Sequence, residues 1–181
     1  EGGTGVCLGR LADGSWSYTP QTLTIRTPDG EKLWTKHPTR DVAVISITAP
    51  EAFAKAAIPL SWLAQDDTFA KEKVSAGDEM MALGFPRGLA ANQAGFPILR
   101  SGKVASWPLA PANIYPTFLL DFSVFPGNSG GPVFMSSPGG DGQRQFIAGL
   151  LTQQVELNKE RLEIGIVTHA KYIRETLALL D

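Results

Sequence analysis

The 181 residues predict an all-β protein closed by one C-terminal helix. Three observations carry that expectation. Short runs enriched in β-branched and aromatic residues recur between Gly, Pro and Asp turn signals, a spacing that belongs to barrels or sandwiches. Helical periodicity of apolar residues is confined to the terminal AKYIRETLALL. Neither an internal repeat nor a low-complexity tract interrupts the series.

In chain order, TLTIRT ends on Pro28, Asp29 and Gly30, and DVAVISI begins at Asp41. Residues 50–75 are richer in Ala and charge, with EAFAKAA and SWLAQDDTFAKEK, and predict a helical turn or linker between two β units. EMMALGF then runs into Pro86, Arg87 and Gly88; ILRSGKVASW, TFLLDFSVF and GPVFMS follow. GGDG at 139–142 predicts a hairpin loop leading to QFIAGLLTQQV, and LEIGIVT is the last strand. Tyr172, Ile173, Leu177 and Leu180 share one face of a terminal helix, with Thr168 or His169 near its N-cap.

Composition narrows the function classes. A formal charge of −2 leaves no basic stripe to neutralise phosphates, so no nucleic-acid partner is expected. No apolar run reaches the roughly 20 residues that span a bilayer, so no membrane partner is expected either. Glu1 is not an initiating Met, which predicts a processed form or a piece of a longer product. Cys7 is the only cysteine; it is expected as a small buried apolar residue, fits a cytosolic or a disulfide-free exported protein, and with two histidines makes no zinc set. No metal or organic cofactor is expected.

The stretch from Phe125 to Phe134, FPGNSGGPVF, carries the chemistry. Glycines around Asn128 and Ser129 free the backbone for a tight turn in which the amides of Gly127 and Ser129 can converge on one spot. A hydroxyl beside two convergent N–H groups suits a tetrahedral acyl-transfer intermediate, where each donor contributes about 3 kcal/mol. The bland alternative is a glycine-rich turn before a buried strand.

The stretch resembles the nucleophile loop of trypsin-like serine peptidases of the chymotrypsin fold, in the bacterial branch that holds Glu-specific and HtrA-type proteases. AGDEMMALGFPRGL, FPILRSGKVAS, RDVAVISI, FIAGLLTQQV and LEIGIVTHAKYI are similar to further segments of that family, so the resemblance covers about residues 34–181. It implies two Greek-key six-stranded β-barrels, the N-terminal one incomplete or shortened, with a C-terminal helix. The implied boundaries are 1–62 for the partial first barrel, 63–75 for a linker, 76–170 for the second barrel and 171–181 for the helix. The implied activity is hydrolysis of peptide bonds in a peptide or protein substrate. Ser129 would be the nucleophile, Asp41 the carboxylate that orients a histidine, and Gly127, Asn128 and Ser129 the oxyanion loop. Ser123 would form the base of the specificity pocket, with Leu151, Thr152 and Gln153 pairing to the substrate backbone. Leu151 stands where the Glu-specific enzymes carry a histidine, so a small or apolar substrate side chain is implied.

The family's histidine has no counterpart. GGTGV at 2–6 resembles the strand before it, but the sequence onward to Gly30 contains no histidine. His37 precedes Asp41 in a His-Pro pattern that is not catalytic in the family; were 37–41 extended, the two would lie roughly 13 Å apart. His169, at the end of the last strand, suits capping or pocket lining. Three explanations stay open: a His-bearing segment outside these residues, a pseudoprotease that binds peptides without cleaving them, or a non-standard base.

Overall fold

The computed structural model describes residues 2–48, 51, 57–139, 142–158 and 160–180. Its centre is one closed antiparallel barrel built from β5 (Glu79–Gly84), β6 (Ile98–Val104), β7 (Thr117–Asp121), β8 (Pro132–Gly139), β9 (Gly142–Leu157) and β10 (Glu160–His169). Around the barrel the order is β10-β7-β6-β5-β8-β9. β5, β6 and β7 are sequential neighbours and β8 returns to the far side of β5, which is a Greek key.

Alternation makes these strands. In β5 every second residue faces inward, so Met80 and Ala82 are buried; Phe118 and Leu120 of β7 and Val133 and Met135 of β8 meet them. Each fully buried Leu, Met or Phe here contributes about 1.5–3 kcal/mol. The predicted hairpin at 139–142 holds where it is described: Gly139 pairs with Gly142, and 140–141 lie outside the described residues.

The segment 63–75, expected as a linker, closes one end of the barrel. Leu63 bridges in parallel to Ile147, the Ala64 N–H donates to the Ile147 carbonyl, and Phe69 and Val74 reach the core. Phe69 is the sole buried residue of the four-residue helix α1 (Thr68–Lys71). Its ring stands edge-on to Phe118, Phe146 and His169. The final helix, α2 (Ala170–Leu177), follows β10 without a loop. His169 takes its N-cap position, but no side chain caps it.

The described residues before the barrel form two separate antiparallel pairs where a second, shortened barrel was expected. β1 (Gly2–Arg10) pairs with β2 (Trp16–Thr24), and β3 (Thr35–Lys36) with β4 (Ala43–Val44). Arg10 pairs directly with Trp16 across a tight turn in which Leu11 and Ser15 share a hydrogen bond and the Asp13 carboxylate accepts from Ser15. Of the predicted strand at 22–27, residues 22–24 are the end of β2 and Arg26 forms an isolated bridge to Lys32, and DVAVISI contributes only Ala43 and Val44 to a strand. The side chain of Cys7 lies outside the described residues.

Candidate active site

The serine loop is held by the end of β5. The Phe85 N–H donates to the Gly127 carbonyl at 3.1 Å and the Arg87 N–H to the Pro126 carbonyl at 2.6 Å. Gly127 has φ +93°, and a Cβ there would meet the Phe85 carbonyl oxygen at 2.1 Å; one on Gly131 would meet the Leu83 carbonyl oxygen at the same distance. Both positions therefore require glycine. The Gly131 N–H donates to the Asn128 carbonyl at 3.0 Å.

These contacts aim the amides between them. In a planar trans peptide the N–H points away from the C=O. Because the carbonyls of Pro126 and Asn128 are tied to Arg87 and Gly131, the N–H groups of Gly127 and Ser129 point away from the loop's own supports, and neither donates a hydrogen bond among the described residues. A pair of free donors beside a hydroxyl can receive an oxygen that gathers negative charge.

Asn128, between the two donors, has a task of its own. Its N–H is spent on the Phe125 carbonyl at 2.9 Å, and its Oδ1 accepts from the Phe125 N–H at 2.9 Å. Asn128 is buried and braces the turn from inside; losing such a buried acceptor costs about 1–3 kcal/mol.

Ser129 is exposed, and its Oγ–H donates to the Thr152 carbonyl at 3.0 Å. Gly130 and Gly131 exchange bonds with Leu151, at 2.7 and 2.9 Å. Leu151 thus has neither N–H nor carbonyl left for a substrate backbone, and its side chain is fully buried in the core, which corrects its expected role. β9 continues past β8 at Leu150, so from Thr152 onward its second edge has no strand partner among the described residues. Gln153 pairs with Ile166 on the other side, and its side chain lies outside the described residues. Ser123 is half-buried between Phe122 and Val124.

The loop, Leu151 and Thr152 are thus brought together; among the described residues no hydrogen bond or ring contact links Asp41 or either histidine to Ser129. The stretch 37–42 is a turn, with the His37 N–H donating to the Val42 carbonyl at 2.9 Å, so the extended-chain separation from Asp41 does not apply. Yet the His37 ring turns toward α2. Its Nδ1 accepts from the Thr39 N–H at 3.2 Å, which leaves the proton on Nε2 to donate to Glu175 at 3.1 Å. The ring also stands edge-on to Tyr172, over which Arg40 lies at 5.1 Å. Lys171 and His37 both bond the Glu175 carboxylate and hold it below the usual carboxylate range. Asp41 is exposed, with no side-chain partner among the described residues.

His169 is buried between Phe69 and Phe118, at ring distances of 4.9 and 5.0 Å. Burial pushes its pKa down to about 4, against a weaker opposing pull from the Leu109 backbone. Its Nε2 has no hydrogen-bond partner among the described residues, and the ring packs in the core.

Two features escaped sequence reasoning. The Phe85–Gly88 turn supports the serine loop, and Gly165 of β10 makes room for Val124 and Leu151, since a Cβ there would touch both at 3.0–3.1 Å. The signal for Gly165 was a glycine inside a strand pattern, IGI, which marks close approach. Among the described residues no helix is long and apolar enough to cross a membrane.

The sequence profile of the family described as a trypsin-like peptidase domain matches residues 11–140, well over half of the chain. No curated protein matches it.

Proposed function

Because this chain belongs to the trypsin-like peptidase family, we propose that it carries the nucleophile of a serine endopeptidase at Ser129. The Oγ attacks the carbonyl carbon of a peptide bond, the carbonyl oxygen becomes an oxyanion received by the N–H groups of Gly127 and Ser129, and the amine leaves with a proton. Water then hydrolyses the acyl-enzyme. The observation that supports this most is the pair of free amides beside an exposed serine, each with its peptide carbonyl held by a hydrogen bond, one from Arg87 and one from Gly131 of the loop itself. A substrate strand lies along the open edge of β9 from Thr152, with Ser123 at the base of the pocket for its side chain.

The base is the incomplete part. In the resting loop the Ser129 hydroxyl donates to the Thr152 carbonyl, which is too weak a base to remove its proton. His37 is committed to Glu175 and Thr39, and His169 is enclosed by aromatic rings. These 181 residues are therefore expected to turn over slowly, as a site retaining only its donors and binding contacts does. The same commitment of both imidazoles favours a second reading, a module that holds extended peptides without cleaving them.

Chemical rescue separates the two. Imidazole added at about 50 mM as an external general base is expected to raise hydrolysis of p-nitrophenyl acetate about tenfold above the protein-free imidazole background, less than the roughly 10²–10⁴ that a well-placed base supplies. Ser129→Ala abolishes the gain, whereas His37→Ala leaves it. A gain that is unchanged in Ser129→Ala counts against the nucleophile and leaves the binding reading.

A further inference from the structure

A groove of about 700 Å³ lies beside the serine loop, between the Phe85–Leu89 turn, β6 and Phe125. Ile98, Leu99, Arg100 and Ser101 all line it. Successive side chains of a strand point to opposite faces, so a groove that touches four in a row runs along the strand's edge. That edge is open: β6 pairs with β5 from Ile98 to Lys103, but with β7 only at Lys103 and Val104. The walls are apolar, and Leu89 and Leu99 are 62% and 55% exposed.

Two cations line the groove. The Arg87 guanidinium lies 5.4 Å from the centre of the Phe125 ring, and that of Arg100 lies 5.6 Å from the rings of both Phe122 and Phe125. Neither is paired with a carboxylate among the described residues. Stacking on aromatic faces fixes the guanidinium planes while leaving their N–H edges free, the arrangement that receives a carboxylate.

We propose that this groove docks an acidic peptide segment, extended along the open edge of β6, with an Asp or Glu carboxylate between Arg87 and Arg100 and an apolar neighbour against Leu89 and Leu99. Main-chain hydrogen bonds to the strand edge supply affinity, and the two guanidinium groups select the charge. The surface does not depend on catalysis at Ser129.

The test uses a fluorescein-labelled peptide of sequence Leu-Glu-Leu-Asp-Val, blocked at both ends, and its Gln/Asn counterpart, titrated with the full chain by fluorescence anisotropy. The acidic peptide is expected to bind about tenfold more tightly than the amide peptide, with the gap closing near 0.5 M salt as screening shortens. Arg87→Gln with Arg100→Gln removes the gap, the corresponding Lys pair keeps part of it, and Ser129→Ala keeps it whole. Equal binding of the two peptides by the unaltered chain overturns the proposal, as does a gap that survives in the folded double Gln variant. If that variant misfolds by far-UV circular dichroism, a gap insensitive to salt in the unaltered chain overturns it instead.

Discussion

At the scale of single residues, the serine loop depends on atoms that are missing. Gly127 combines φ +93° with a carbonyl oxygen 2.1 Å from where a Cβ would sit. Gly127→Ala must therefore separate the Phe85 turn from the loop or twist the peptide that carries the Gly127 amide. We expect a loss of at least about 2 kcal/mol of stability in urea unfolding and about a 100-fold slower reaction of Ser129 with acylating reagents. A glycine-to-alanine variant with unchanged stability and reactivity would show that this turn does not hold the amides. Much of this was legible in GNSGG, because glycine spacing is a local property. The partners of His37 were not: the ring chooses Glu175, 138 residues away, and nothing in KHPTRD encodes that choice.

At the scale of elements, legibility followed the same division. EMMALG and TFLLD alternate over their whole length and were read as strands that lie inside the barrel. β2 was read only from its end, because Pro20, which pairs with Val6 within the strand, interrupts the β pattern of WSYTPQTLT. Helix α1 has four residues, too short for any periodic signal, and its position comes from one side chain. Phe69 sits under three rings, so Phe69→Ala should cost about 3–5 kcal/mol by equilibrium denaturation. A cost below 1 kcal/mol would mean that the segment 63–75 is a detached linker after all. Helix α2 is more heavily tied: Arg174 bonds the Ala64 carbonyl and the Asp66 carboxylate, and the Tyr172 hydroxyl donates to the Ala112 carbonyl at 2.8 Å. The loop 37–42 packs on this helix through His37 and Arg40, which both meet Tyr172, and through the His37 bond to Glu175.

For the whole molecule, His169 couples stability to pH. Its pKa is lowered to about 4 in the folded state from 6.5, so the unfolded chain binds the extra proton between those values. Stability from the neutral buried ring is complete above pH 6.5 and is lost as pH falls toward 4, by an amount on the order of 2–3 kcal/mol. Glu175, held below its usual range, adds its own loss at lower pH. Urea midpoints should fall between pH 7.5 and pH 5 in the unaltered chain, and His169→Phe, which keeps the aromatic packing, should flatten that slope. An equal slope in the variant would place the pH dependence elsewhere.

The barrel, its Greek key and the braced glycine loop support the proposal that Ser129 is a nucleophile, to which neither histidine is hydrogen-bonded among the described residues, and one measurement tests that most directly. The chain is incubated with a fluorophosphonate between pH 6 and 9, and the adduct is located by peptide mass spectrometry. A single phosphonyl adduct on Ser129, formed slowly, accelerated by imidazole and absent in Ser129→Ala, is the predicted result. A chain that takes up no phosphonyl group at Ser129 at any pH, with or without imidazole, contradicts it.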